Sequence, residues 1–333
     1  MKQIRIGNQT SFSASTLSLP FEYAIENGFD AFEWFPDKKE WGAGWDTNDI
    51  DSEMRRHIRR KAIENNIALS VHAPWNSDPL KHENHPVLLK NIEFARDIGA
   101  TILIVHLTTD KGPENYVKAI MPIMRNLSEA GLRLSLENTP LTNPEDFNRV
   151  FDIIQNLKEM PVQNIGMCFD LGHANLCAST RNDYLKFIDL LESQVPINHI
   201  HLHENYGDCD SHLPVFTGPS RENDAGLYGF MKRLKDIHFS GTIILEQWPD
   251  PPYLLNEARK RLYHIWNKIP DTHCPSNPQN GTGNFKPSRE TDPDSIQIYS
   301  SHNGFLIKSE IKLSEYDCNQ DLVSSKTENQ IGF

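Results

Sequence analysis

A chain of 333 residues has room for one large α/β domain or two smaller ones, and a hydrophobic content of 38% is low enough that part of the length is expected to stay outside any core. A net charge of −12 argues against nonspecific attraction to a polyphosphate backbone, while leaving open a local basic or metal-lined cleft. Five cysteines without a CxxC pair, no secretory h-region in MKQIRIGNQT and no apolar run near the ~18 residues of a membrane span predict a soluble cytoplasmic protein without disulfides or a membrane partner.

From the N-terminus, short apolar runs alternate with amphipathic stretches. IRIG (4–7) and AFEWF (31–35) read as the first two strands, and SEMRRHIRRKAIENN (52–66) as a helix opened by a Ser cap. ALSVHA (68–73) is the third strand. HPVLLKNIEFARDIG (85–99) is a helix with Pro in its first turn and Gly at its stop. TILIVH (101–106) follows, then PENYVKAIMPIMRNLSEAG, in which Pro122 predicts a kink or a delayed start. RLSLEN (133–138) is the fifth strand, and NPEDFNRVFDIIQNLKEM (143–160) brings an Asn cap, Pro and acidic residues to a helix N-terminus. IGMCFD (165–170), HIHLH (199–203) and TIILEQ (242–247) complete the strands, with DYLKFIDLLESQ, DAGLYGFMKRLKDIH and PYLLNEARKRLYHIW as the remaining helices.

Eight strands alternating with helices predict a closed (β/α)8 TIM barrel over residues 1–270. An open doubly wound sheet competes, but IGNQTSFSASTLS carries no GxGxxG after the first strand. Residues 271–333 begin with a dense Pro, Asn, Gly and Ser stretch, so this extension is expected to be largely disordered, with a possible β-hairpin at 295–313 around Asn303-Gly304.

Six consecutive strands end in an imidazole or a carboxylate: His72, His106, Glu137, Asp170, His201 and Glu246. His, Asp and Glu make up roughly one residue in six, so an unbroken run of six is a pattern rather than composition. All strand C-termini of a barrel surround one mouth, where carboxylates alone would repel and raise one another's pKa values. A divalent cation removes that conflict, and mixed N/O ligation suits Zn²⁺ first, with Mn²⁺, Co²⁺, Fe²⁺ or Mg²⁺ as alternatives. His173 follows Asp170 closely, and GDCDSHLP adds Asp210 and His212, the composition of a further metal position. His199 and His203 share strand parity with His201, so the ligand could shift by one inward position.

At these residues the chain resembles the xylose-isomerase-like barrels, which include sugar-phosphate isomerases/epimerases and nucleases of the endonuclease IV type. The resemblance spans about residues 4–265. Carried over from endonuclease IV, it implies up to three ions. His72, His106 and Glu137 would hold the first, Glu137 with Asp170, His201 and Glu246 the second, and His173, Asp210 and His212 the third. Carried over from ketose epimerases, it implies one ion on Glu137, Asp170, His201 and Glu246, with the two glutamates as the acid/base pair. The flanks depart from the nuclease pattern: APWNSDPL stands for PYxxNLAS, with Trp75 at the Tyr position, DLGH for DTCH, and HLHEN…DSH for HLND…DRH.

The expected function is therefore a metal-dependent sugar or sugar-phosphate isomerase/epimerase. Glu137 and Glu246 would move the proton, and His173 or His203 would polarise the oxygen. An endonuclease-IV-like zinc phosphodiesterase acting on apurinic/apyrimidinic DNA is the alternative, and a non-catalytic metal- or sugar-binding barrel a third class. His203, Trp75 and Glu33 are candidate substrate contacts. His203 could instead serve a ligand's carboxylate partner, and Glu33 could face solvent or a helix. Trp34, Trp41, Trp45 and Trp75 offer either an apolar wall at the mouth or packing beneath the EWGAGWD loop. Lys38, Lys39, Arg181 and Arg221 are the basic groups a substrate phosphate would need.

Overall fold

The near-continuous apolar runs become strands covered on both faces, as strands of an all-parallel sheet must be. In the computed structural model, which describes residues 4–11, 13–39, 42–157 and 164–270, eight of them close into a parallel barrel in sequential order. They are β1 (Arg5–Gln9), β2 (Ala31–Trp34), β3 (Ala68–His72), β4 (Ile102–His106), β5 (Arg133–Glu137), β6 (Ile165–Asp170), β7 (Ile197–Leu202) and β8 (Thr242–Leu245). β8 returns to pair with β1, Ile6 opposite Ile243. The expected 271–333 extension and its hairpin lie outside the described residues.

The helices are α1 (Leu19–Glu26), α2 (Ser52–Glu64), α3 (His85–Ile98), α4 (Pro113–Ala130), α5 (Pro144–Asn156), α6 (Leu171–Leu176), α7 (Tyr184–Asp189), α8 (Ala225–Asp236) and α9 (Tyr253–Lys268). Their ends follow local chemistry. α3 stops at Gly99 in the left-handed region, φ 79°, and α5 opens on an Asn143/Asp146 capping box. The α2 cap is Asp51 rather than Ser52: its carboxylate accepts the Met54 N–H at 2.8 Å. α4 is not delayed by Pro122, which sits inside a helix that already begins at Pro113. Among the described residues no helix is long and apolar enough to cross a membrane.

Strand parity divides the core. Val71, Val105, Leu136, Phe169, Ile200 and Leu245 point outward into the layer shared with the helices. Trp34 and Trp45 belong to that layer too, edge to face at 5.8 Å, so both pack rather than line the mouth; Trp41 is outside the described residues. The alternate residues turn into the barrel, where Ile102, Ile104 and Cys168 form a small apolar plug. Glu33, Ser70, Ser135 and His199 share that inward parity and are buried polar groups.

Candidate metal centre

Period-two alternation brings His72, His106, Glu137, Asp170 and His201 inward at the C-terminal ends of β3 to β7, and Glu246 follows β8 by one residue. Glu137 lies at the centre of the ring and is fully buried. Its Oε2 is 2.6 Å from His72 Nε2 and 3.3 Å from His106 Nε2. Its Oε1 is 3.0 Å from His201 Nδ1. Asp170 and Glu246 stand beside it, 3.9 and 3.7 Å from the same His201 Nδ1.

Asp170 has two tasks. It ends β6 and also caps α6, a short helix not expected from the sequence, by accepting the His173 N–H at 2.6 Å. That turn swings His173 over the ring, with Nε2 3.2 Å from Asp210 Oδ2. Asp210 and His212 arrive on a loop pinned at its base by an antiparallel bridge between Glu204 and Leu213. The Glu204 carboxylate also holds the segment that follows this loop, through the Gly218 and Ser220 N–H groups at 2.9 and 3.3 Å. His212 Nε2 lies 3.2 Å from Asp210 Oδ2. All nine candidate ligands therefore converge.

Ring orientation constrains what sits between them. His72, His173 and His212 donate Nδ1–H to the carbonyls of Ala73 (2.5 Å), Asn138 (2.8 Å) and Glu246 (2.9 Å). Their Nε2 atoms are then bare unless the rings are cationic. A bare nitrogen 2.6–3.2 Å from a carboxylate oxygen is a repulsive contact between lone pairs. A proton or a metal ion must lie there, and a backbone-anchored imidazole is how proteins usually orient a metal ligand. Asp170 Oδ2, Glu246 Oε2 and both ring nitrogens of His203 are buried without a hydrogen-bond partner. The donors present thus fit a divalent cation.

Burial and neighbouring charge shift the groups of the ring in opposite directions. Burial disfavours charge on Glu137, yet the rings of His201, His106 and His72 outweigh it and hold the acid well below its usual range. Burial pushes Glu246 up to about 8 against the pull of His201 and His212, with Asp170 and Glu137 adding to the rise. Burial would lower His212, but Asp210 and Glu246 raise it to about 9. Against burial, Asp170 and Asp210 hold His173 well above the ordinary histidine value, and Cys168, Glu33 and Glu137 do the same for His201.

His203 does not reach the mouth surface. It is fully buried, with Nε2 3.2 Å from Asp170 Oδ1 and 3.7 Å from Glu246 Oε2, and it stacks on His212 at 3.9 Å. Asp170, His203 and Glu246 alone could hold an ion, as could His72, Glu137, His201 and Glu246, or His173, His203, Asp210 and His212. Glu33 is also buried, one inward layer below His72, because its register partner is Ser70. Trp75 is 61% exposed on the loop after β3. Lys38 is held by Asp46 and Asp49, and Lys39 by Asp37. The sequence does not single out Asn138; it ties the β5 end to β6, accepting the Asp170 N–H and donating to the Asp170 carbonyl.

A family model described as "Xylose isomerase-like TIM barrel" matches residues 21–265. The chain belongs to this family. Among curated relatives, uncharacterized protein MJ1311 of Methanocaldococcus jannaschii is 24% identical over 259 residues, covering 71% of this chain and 80% of the relative. Among solved structures, a D-tagatose 3-epimerase-like protein superposes with TM-score 0.62 at 21% identity, covering 80% of this chain and 99% of the other. Endonuclease IV from Thermus thermophilus superposes with TM-score 0.56 at 19% identity, covering 79% and 99%. At these identities the likeness to both structures is one of fold. Members of this xylose-isomerase-like superfamily are mostly enzymes, and they typically bind divalent metals.

Proposed function

We propose that this member is a divalent-metal-dependent isomerase or epimerase of a sugar or sugar phosphate. The observation that carries the reading is a pair of buried glutamates, Glu137 and Glu246, within 4 Å of the same His201 Nδ1 and beside Asp170. Two carboxyls that face one site from different strands are suited to serve as base and acid. Glu137, Asp170, Glu246 and His201 or His203 would hold the essential ion, with His72 and His106 completing a second position. When bound, the ion supplies electrophilic pull on a ketose oxygen. Glu137 takes the proton from the carbon beside the carbonyl, and Glu246 returns one to the opposite face. His173, anchored on the Asn138 carbonyl, faces the mouth through Nε2 and orients the substrate oxygen.

Charge at the mouth supports a sugar over DNA. The segments joining each strand to its following helix carry five Lys/Arg and, candidate ligands aside, thirteen Asp/Glu. A polyphosphate would meet that field at a loss, and the same balance favours an unphosphorylated sugar over a phosphorylated one. Trp75, Tyr206 and Tyr253, each more than half exposed after β3, β7 and β8, offer aromatic faces for a sugar ring. The convergence of His173, Asp210 and His212 favours a second reading, an endonuclease-IV-like phosphodiesterase. Metal analysis followed by paired assays separates the two. Epimerisation of a free ketose supported by Mn²⁺, Co²⁺ or Mg²⁺ is the expected result. Three zinc ions per chain with cleavage of an abasic-site duplex would replace the first reading by the second.

A further inference from the structure

Beneath the ring lies a buried polar group that no step above uses. Glu33, on β2, is fully buried, and so are the two histidines it faces, His199 and His201. Its Oε2 accepts from Ser70 Oγ at 2.7 Å and from His199 Nε2 at 2.9 Å. Its Oε1 stands 2.8 Å from His201 Nε2. His199 is oriented in turn, since Thr242 Oγ1 meets its Nδ1 at 2.5 Å.

We infer that Glu33 is a positioning residue: it keeps hydrogen on His201 Nε2, so that Nδ1, the nitrogen beside Glu137, Asp170 and Glu246, is the one that yields its hydrogen to an ion. The chemistry allows little else. Glu33 accepts from Ser70 and His199 through Oε2, while its Oε1 faces His201 Nε2 at 2.8 Å, close but out of hydrogen-bond line. A carboxylate cannot donate, so an approach this near calls for hydrogen on Nε2. The other nitrogen, hydrogen-bonded to Glu137 at 3.0 Å and within 4 Å of Asp170 and Glu246, is then the one that gives up its hydrogen to an ion. His72, His173 and His212 are anchored the opposite way, by Nδ1 on a backbone carbonyl. His201 alone among these rings presents Nδ1 to the candidate ion and is braced by a side chain. A carboxylate brace also makes the imidazole a stronger donor to the metal than a carbonyl brace does. Depth in the barrel gives Glu33 this role rather than substrate contact: it lies one inward layer below the ring, closed off from the mouth by His72 and His201.

The assignment rests on the metal reading of the ring, and the test separates the two. Long-range ¹H–¹⁵N correlation spectra of the histidine rings, recorded on the metal-free and the zinc-loaded wild-type protein, report which His201 nitrogen bears hydrogen. The expected result is hydrogen on Nε2 in both states, with zinc removing or replacing hydrogen only at Nδ1. A bare Nε2 in either state overturns the assignment. Should the protein take up no zinc, hydrogen on Nε2 of the metal-free protein still supports Glu33 as the brace while the metal reading fails. In Glu33→Gln the amide can donate to His201 Nε2 and reverse the ring's preference. Zinc affinity is then expected to fall about 10- to 100-fold, with the circular dichroism spectrum unchanged. Unchanged affinity in a folded Glu33→Gln protein overturns the inference. If that variant does not fold, the wild-type spectra decide alone.

Discussion

Gly172 is the sharpest handle on the ring, because a methyl group there has nowhere to go. A Cβ built on this residue of α6 falls within the imidazole of His203. His203 cannot simply turn aside: it is fully buried and lies flat on His212, with ring centroids 3.9 Å apart and planes 7° from parallel. Ordinary carbon contacts need about 3.5–4.0 Å, so Gly172→Ala drives the ring away by well over ~1 Å. Overpacking of this kind costs about 1–3 kcal/mol. For a domain of this size that corresponds to a fall in Tm of about 2–12 °C. The displacement also exceeds the ~0.5 Å tolerance of a metal position, so the Asp170–His203–Glu246 set loses its nitrogen and the metal content of purified protein falls. Thermal melts of the metal-free protein and elemental analysis after dialysis against zinc read the two effects. A double-mutant cycle with His203→Ala isolates the cause: once the ring is gone, the added methyl has room and its penalty should largely vanish. Strictly additive losses, or a Gly172→Ala protein with wild-type Tm and metal content, would refute the reasoning.

Other outcomes follow from the same geometry. Glu137→Gln should lower turnover on a ketose substrate by about 10²–10⁴-fold while leaving the fold intact, and unchanged turnover would remove Glu137 from the chemistry. Asp210→Ala should cost one ion in elemental analysis yet leave epimerase activity largely in place; an equal collapse of activity would favour the phosphodiesterase. In EDTA-treated protein, His212 (about 9) and Glu246 (about 8) hold protons more tightly than in the unfolded chain. Both pKa values are raised, so both contributions are complete at low pH and are lost as pH rises through 8 and 9. Tm should therefore fall between pH 7 and 9.5 without metal, and added zinc should oppose the fall; a flat profile would contradict the proton-filled ring. Zinc competes for those same protons, so its apparent affinity should rise with pH up to about 9, as calorimetry in two buffers of different ionisation enthalpy would detect.

The barrel was readable because each strand carries its own announcement: an apolar run, a polar inward end, and a helix with a recognisable stop such as Gly99 or start such as Asn143. Alternation fixed which face His72, His106, Glu137, Asp170 and His201 occupy. It says nothing of depth. Glu33, His199 and His203 share the inward parity of the ligands, yet register places Glu33 one layer below the ring and His203 one inward position above His201. Only the closed, staggered sheet settles such heights. Asp170 concealed α6, because a strand-ending carboxylate gives no sign that it also caps a turn. Asn138 was invisible for a related reason: its work is done on the backbone of β6, and no pattern in SLENT marks a partner 32 residues away.

The loop from Glu204 to Leu213 differs in kind from the other sources of ligands. Those sit on strand ends or, for His173, on the α6 turn directly after β6, where any change of length would disturb the sheet. Asp210 and His212 ride instead on a detachable excursion, tied off at its neck by one two-residue bridge. Insertions or deletions there leave the cylinder untouched, so the number of ions this architecture carries can be revised by editing a single peripheral segment, and the repertoire of one scaffold can widen without rebuilding its frame.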